Sequence, residues 1–413
     1  MRRYAFEGIH LLDFTWYGVG PITTKYLADN GADVIRIESS ARLDGLRHAP
    51  PWKDAKPGVN NSQFFASYNT SKKGITLDMS KPKAREIFLR MLPWADVVTE
   101  NFTPKALRKW DLDYERLSAL KPELIMLSTC MHGQSGPHRD YPGFGNLMAA
   151  LSGFYHIAGY SESELCPPYG AYTDFIAPRF AACSLMAALD YKRRTGKGQY
   201  IDMAQYEAAL HNLAPALVDY FATGRVLGPQ ANRSERYAPH GAYRCADEDG
   251  HERWIAFAVA DDREWRAMLE VLGNPASDAS MATAADASLT TMTGRLSNRE
   301  ALDGFVAALV RNRNAEQLTA ALQAAGVSAY PVQNCVDLHR DENLEAFRFW
   351  HWLDHPHMGP SPYEGLEHRL SRTPGGLRSP APIVGQHNEE ILGGMLGMSA
   401  AEIEQLKQEE IVF

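Results

Sequence analysis

Cysteine is scarce in this chain: five in 413 residues, at Cys130, Cys166, Cys183, Cys245 and Cys335, with no CxxC pair among them. An odd, scattered set makes neither a disulfide framework nor a zinc knuckle and points to a reducing compartment. Long apolar runs are missing too. None approaches the roughly 18 residues that a membrane-spanning helix needs, and the nearest, Phe175–Leu189, carries Arg179 near its start. Positive charge is in deficit, with Lys+Arg 42 against Asp+Glu 50 and a formal net charge of −8. The molecule as a whole therefore has no field that recruits nucleic acid, and any anionic ligand must meet a local basic cluster. The patterns G-x-S-x-G, H-E-x-x-H and Walker A are absent, which removes the commonest hydrolase, zinc-protease and P-loop readings. The histidines stand mostly alone, among them His132, His138 and His156, so no metal site is expected. Met1-Arg2-Arg3 leads into Glu7 and Asp13 without an apolar signal core. The expectation is a cytoplasmic protein with no membrane and no nucleic-acid partner.

What is present is ordinary globular composition, 45% apolar and 22% charged, in a chain long enough for two domains. Strand-like runs at Ile9–Phe14, Val34–Glu38, Ile75–Leu77, Val97–Val98 and Leu124–Leu127 alternate with helical spacing at Ile22–Asn30 and Ala84–Leu92. Gly18–Pro21 reads as a turn. Such alternation implies right-handed crossovers and an α/β fold with a Rossmann-like parallel sheet. Pro178–Thr195 reads as a long helix ending in Arg193-Arg194 and a Gly196 cap. Tyr200–Met203 returns as a strand and Ala204–Leu217 as a helix. After a linker, Ala242–Ala246 and Trp254–Val259 form a hairpin pattern, followed by helices at Asp262–Leu272 and Arg299–Val310. Asn274–Ser297, rich in Ala, Ser and Thr, reads as a surface loop. The division expected is a large domain over 1–220, a small α+β domain over 225–330, and a linker with a C-terminal part over 331–413.

Gly18-Val19-Gly20 after a strand, with Glu38 closing the next, imitates a dinucleotide fingerprint, but the third glycine is missing. A tight strand-to-helix turn is the better reading, and a dehydrogenase survives only through these glycines. Asp174 follows the turn Cys166-Pro-Pro-Tyr-Gly170 and precedes the apolar helix that Pro178 helps to start. A carboxylate there is both a helix cap and a candidate reactive group. On local sequence alone, the cap is the plainer reading.

Several segments together resemble the class III CoA-transferases, the family of formyl-CoA transferase and carnitine-CoA transferase. They are Leu12-Asp13-Phe14-Thr15 with Gly20-Pro21, then Leu27-Ala28-Asp29-Asn30-Gly31-Ala32-Asp33-Val34-Ile35-Arg36-Ile37-Glu38, and Asn69-Thr70-Ser71-Lys72-Lys73-Gly74-Ile75-Thr76-Leu77-Asp78. Ala95-Asp96-Val97-Val98-Thr99-Glu100-Asn101-Phe102, Leu151-Ser152-Gly153, Arg194-Thr195-Gly196-Lys197-Gly198-Gln199-Tyr200-Ile201-Asp202 and Ala381-Pro382-Ile383-Val384-Gly385-Gln386-His387 complete the series. The resemblance implies an interlocked dimer whose large domain is built from both chain ends, with the small domain inserted between them. A homodimer is the first expectation, a heteromer with a homologous chain the second. The resemblance also implies that Asp174 is the nucleophile, taking CoA from an acyl-CoA, for which succinyl-CoA is a donor that suits the departures described below, and passing it to a free carboxylic acid. Coenzyme A is then substrate, and no permanently bound cofactor is expected. Lys72, Lys73, Asn101 and Phe102 fall on the family's CoA-contacting segments. Lys109 stands where relatives have Arg, and Ser39 replaces a basic position, leaving Arg42 or Arg47 as substitutes. Lys105, Arg108 and Lys109 read equally well as a solvated helix face.

This chain departs from formyl-CoA transferase at Gly18, where that enzyme has Gln, and at Gly145, where it has Glu. A glycine-rich covering loop is not evident near Arg233–Gly241. These departures argue against oxalate and formate and for a larger acyl group, with an aromatic or branched dicarboxylic acid as acceptor. Two alternatives share the fold. An α-methylacyl-CoA racemase needs a His where this chain has Phe144 and a second acid where it has Ala260. The other is a catalytically silent partner subunit, against which the presence of Asp174 argues.

Overall fold

A computed structural model describes residues 4–39, 41–161, 163–273 and 287–413. The chain divides into two compact units. One comprises Met1–Phe154, Pro168–Val226 and Glu342–Phe413, the other Tyr155–Pro167 and Leu227–Asp341.

In the first unit the sequence alternation becomes six strands: β1 (His10–Asp13), β2 (Asp33–Glu38), β3 (Lys73–Thr76), β4 (Val97–Glu100), β5 (Ile125–Cys130) and β6 (Tyr200–Ala204). All pair in parallel, in the order β3-β2-β1-β4-β5-β6. Helices α1 (Val19–Asp29), α2 (Pro82–Met91), α3 (Gly145–Leu151), α4 (Tyr172–Thr195) and α5 (Gln205–Leu210) belong to the same unit. Leu27 and Ala28 of α1 and Ala181, Leu185 and Ala188 of α4 bury one sheet face with Leu11, Val34 and Leu127. Ile87, Phe88 and Met91 of α2 cover the other with Leu12, Ile35 and Val98. Because both faces are covered, the central strands read as short continuous apolar runs.

The chain end contributes to this second layer through Ile391, Ile403 and Leu406. Asn388 fastens it to the β3 edge, accepting from the Thr76 N–H at 2.9 Å and donating to Thr76 Oγ1 at 2.9 Å. The unit is thus assembled from both ends of the sequence.

Several local expectations change. Helix α1 begins at Val19, absorbing the expected turn at Gly18–Pro21; a proline is tolerated in a first helical turn, where its missing N–H is no loss. Helix α4 begins at Tyr172 and carries Pro178 inside it. It ends, as expected, on Gly196 at φ +70° with Lys192, Arg193 and Arg194 in the last turn. The stretch Ala204–Leu217 divides into α5, a single turn at His211–Leu213, and α6 (Ala214–Thr223).

In the second unit, β7 (His240–Arg244) and β8 (Trp254–Ala258) form the expected antiparallel pair, joined by β9 (Ser328–Pro331) on the far side of β8. Helix α7 (Asp262–Leu272) buries Trp265, Met268 and Leu272, spacing that puts all three on one face. Helix α8 (Arg299–Val310) adds Leu302, Phe305, Val306 and Val310 to the same core. The loop expected over Asn274–Ser297 is corrected at its end: a turn at Ala287–Thr290 and a helix at Met292–Ser297 replace it. Residues 274–286 lie outside the described residues. Back in the first unit, β10 (Trp350–His355) pairs with β11 (Gly359–Glu364) as an antiparallel hairpin that the proline-rich sequence did not suggest.

Candidate active site

Asp174 is the third residue of α4, and Ala171, not Asp174, holds the cap position. The capping reading therefore fails, and its side chain is free for other work. Asp174 Oδ1 accepts a hydrogen bond from Gln205 Nε2. Among the described residues, Oδ2 accepts none. The carboxylate lies between two glycines: a Cβ at Gly145 would stand 2.6 Å from Oδ1, and one at Gly18 would stand 2.7 Å from Oδ2. Real Cβ atoms do not approach so closely, so only glycine at both positions lets the carboxylate sit there. The space over these two glycines is filled by Asp174 itself. Burial raises the carboxyl to about 6, with the Gln205 bond opposing the rise.

The carboxylate opens on a cavity of about 750 Å³. Its walls come from residues just past the carboxyl ends of β1 to β5, including Trp16, Ser39, Leu77, Asn101 and Met131, where a sheet of this strand order binds ligands. Two other carboxylates, Glu38 and Asp78, line it. Glu38 pairs with Arg47 at 2.9 Å, and Asp78 accepts from the Ser80 N–H at 3.0 Å and hydroxyl at 2.7 Å. The Cys130 thiol also faces the cavity, but burial pushes it up to about 12, so it stays protonated at neutral pH.

Of the residues expected to bind CoA, Arg42, Asn101, Phe102 and Lys109 line this cavity. Asn101 spends both ends of its amide on the Trp16 backbone, accepting from N–H at 2.8 Å and donating to C=O at 2.6 Å. Phe102 stands edge-on to Trp16 at 5.3 Å, and the Arg42 guanidinium lies over the Trp16 ring at 5.7 Å. Lys72 and Lys73 are not brought to the cavity. Lys72 is buried, donating to the Pro21 carbonyl and to Asn69 Oδ1, each at 3.0 Å, with Asp13 at 3.5 Å. Desolvation there lowers its ammonium to about 7. Lys73 faces outward and pairs with Glu390 at 2.5 Å. Arg47 is buried against Glu38, with its guanidinium 3.7 Å over Phe65, so Arg42 is the one of the two that meets the cavity. Lys105 pairs with Asp140 at 3.4 Å and does not line the cavity. Sequence reading passed over Trp16, His132, Arg139 and Gln205, all on the cavity wall. Trp16 was recoverable from its place directly after β1. Arg139 and Gln205 carry no local signal.

The sequence profile described as CoA-transferase family III matches residues 6–388. This chain belongs to CoA-transferase family III. It is 29% identical over 406 residues to succinyl-CoA–D-citramalate CoA-transferase of Chloroflexus aurantiacus, covering 98% of each chain. It is 28% identical over 410 residues to the beta subunit of succinyl-CoA–L-malate CoA-transferase of the same organism, covering 98% of this chain and 97% of that one. Among solved structures, a CAIB/BAIF family protein from Brucella suis superposes with a TM-score of 0.84 at 26% identity, covering 95% of this chain and 100% of the other. A family III CoA-transferase handles a CoA thioester and a free acid, both anionic. The exposed cations at the cavity of this chain are Arg42, Lys109 and Arg139. Among the described residues no helix is long and apolar enough to cross a membrane.

Proposed function

We propose that this protein transfers CoA from succinyl-CoA to a second carboxylic acid through covalent intermediates on Asp174. The observation that carries the reading is a half-buried carboxylate with one unengaged oxygen, facing a cavity flanked by aromatic rings and cations. A lone pair of Oδ2 attacks the thioester carbonyl, the carbon–sulfur bond breaks, and CoA leaves as thiolate with a mixed anhydride formed. The thiolate then adds to the aspartyl carbonyl carbon and expels succinate, leaving an aspartyl-CoA thioester. The acceptor carboxylate repeats both steps in reverse, so the thioester energy is conserved. Relatives named for D-citramalate and L-malate support a branched or hydroxylated dicarboxylic acceptor. Phe144, which lines the cavity, offers no proton-transferring group for a racemase. The deciding experiment is incubation with succinyl-CoA, trapping with hydroxylamine, and mass-spectrometric mapping. The modified peptide should contain Asp174; label elsewhere overturns the reading.

The nucleophile must be ionised, and its carboxyl sits near 6 rather than at the ordinary Asp value. Values of kcat/KM measured against pH should therefore rise through about pH 6 and level off above it. A flat profile down to pH 5 removes the assignment.

Arg42, Lys109 and Arg139 are proposed to meet the phosphates of CoA, with Phe102 and Trp16 facing its adenine or pantetheine. Arg42→Ala or Lys109→Ala should raise KM for succinyl-CoA about 10- to 100-fold with kcat nearly unchanged, since one charge-assisted phosphate contact contributes roughly 1.5–3 kcal/mol. Unchanged KM in both variants would move the phosphates elsewhere.

The active form is proposed to be a homodimer. Helix α6, Ala214–Thr223, buries none of its residues within the chain, leaving Val218 63% and Phe221 86% exposed. An apolar helix without a packed face calls for a partner surface. Sedimentation of the purified chain should give two copies with full transfer activity. A monomer, or activity only with a homologous second chain, overturns this.

A further inference from the structure

We infer that Gln205 is a catalytic residue: its side-chain amide holds Asp174 Oδ1, so that Oδ2 is presented for attack, and the same N–H stabilises the oxyanion that forms on Oδ1 when the CoA thiolate adds to the aspartyl carbonyl. The inference rests on the covalent reading of Asp174 and assigns the two carboxylate oxygens different tasks.

Gln205 directly follows β6 and opens α5, so strand and helix together fix its backbone. Its side chain is 4% exposed. The orientation of its amide follows from the neighbouring bonds. Thr173 Oγ1 donates its single hydrogen to the Gly145 carbonyl at 3.1 Å, which leaves only acceptor capacity toward Gln205. The amide must therefore turn its NH2 end to Thr173, at 2.7 Å, and the second hydrogen of that nitrogen goes to Asp174 Oδ1. A buried chain of bonds thus runs from the Gly145 carbonyl through Thr173 and Gln205 to the reacting carboxylate.

That geometry matters most in the second half-step. After acylation at Oδ2, Oδ1 is the carbonyl oxygen of the aspartyl anhydride. As the sulfur–carbon bond forms at Cγ, the carbonyl π pair moves onto Oδ1. The tetrahedral adduct then collapses, restoring the Cγ–Oδ1 double bond and breaking the Cγ–Oδ2 bond, so succinate departs with Oδ2. No proton is gained or lost. A donor already aimed at Oδ1 in a partly desolvated site needs no reorganisation when the charge arrives, and such donors contribute about 10²–10³-fold in rate. In the resting enzyme the same bond favours the ionised carboxylate against the opposing effect of burial.

The test uses Gln205→Met and Gln205→Leu, which keep the volume and remove the donor, with Thr173→Val to loosen the anchor. Succinyl-CoA is mixed with enzyme in the absence of acceptor, and the enzyme–CoA adduct is followed by intact-protein mass against time. Formation of the adduct should slow about 10²–10³-fold in the Gln205 variants and by a smaller factor in Thr173→Val, with the Kd for succinyl-CoA retained. The inflection of kcat/KM should move to higher pH, a readout that a packing role would leave alone. Tyr68 also feels the Asp174 charge, and burial keeps it neutral. Arg42, Lys109 and Arg139 on the cavity wall are unaltered by these substitutions. Adduct formation at the wild-type rate with an unmoved inflection overturns the inference and leaves the nucleophile assignment standing. Absence of any adduct in the wild-type enzyme removes the covalent reading and this inference with it.

Discussion

Asp174→Ala should abolish CoA transfer, lowering kcat by at least about 10⁴-fold, because on the proposed covalent route it leaves only the binding and electrostatic remainder of the site. The protein should fold as well as before. Asp174 forms no ion pair among the described residues, and its side chain makes a single hydrogen bond, to Gln205. A carboxyl raised by burial is a destabilising group held in place for chemistry. Thermal unfolding of Asp174→Asn, which keeps the shape and loses the charge, should therefore fall at or above the wild-type midpoint while transfer disappears. Asp174→Glu separates position from chemistry: it supplies the same functional group on a stem longer by one methylene. In a slot walled by Gly18 and Gly145 that carboxylate is displaced by about an ångström, and such a displacement costs about 10²-fold. An Ala variant that still moves CoA between acids, or a Glu variant with undiminished turnover, would contradict the assignment.

Gly145→Ala should be the next most damaging change, although it removes no reactive group. The added methyl would lie 2.6 Å from Asp174 Oδ1 and 2.7 Å from Ala171 Cβ, so the carboxylate must turn away from Gln205 or α4 must shift. Either movement misplaces the attacking oxygen, with an expected loss of about 10²-fold or more in kcat and at most a modest change in KM. Gly18→Ala presses on the opposite oxygen from 2.7 Å and should behave similarly. The backbone at Gly18, with φ −97° and ψ −74°, is open to any L residue, so the expected loss there is steric alone. Crowding of this kind also costs about 1–3 kcal/mol of stability. A measurable drop in unfolding midpoint with unchanged kcat would show that the carboxylate had escaped the contact.

The parallel sheet was legible because its central strands are short, apolar and bounded by turn residues, the pattern that burial on both faces imposes. The helices at Asp262–Leu272 and Arg299–Val310 were legible from their one-sided spacing. What escaped notice was built with proline. Strand β9 ends on Pro331, and β11 contains Pro360 and Pro362. Both lie at sheet edges, where a missing N–H leaves no ladder bond unmade, so proline there breaks nothing. Pro178 misled in the same direction, marking a helix start well over a turn after the real one at Tyr172.

Charges were the least legible feature of the site. Lys72 and Lys109 are alike in sequence, yet one is buried against Asp13, 59 residues away, and the other lines the cavity. Arg47 and Arg42 divide the same way: Glu38 captures Arg47, leaving Arg42 on Trp16. A basic side chain is visible in one dimension. Whether a buried acid neutralises it depends on which distant strand end it meets.

Order along the chain was enough to establish a Rossmann-like sheet, membership of a CoA-transferase family and an aspartate worth attention, because periodicity and short motifs are local properties. The packing around that aspartate came from folding. Gly18, Gly145 and Gln205 belong to three separate helical starts, and only the closure of sheet and helices brings them around one carboxylate. Hydrogen bonding and steric contact act over a few ångströms of space regardless of separation in sequence, so the reactive geometry of Asp174 exists only once the chain has packed.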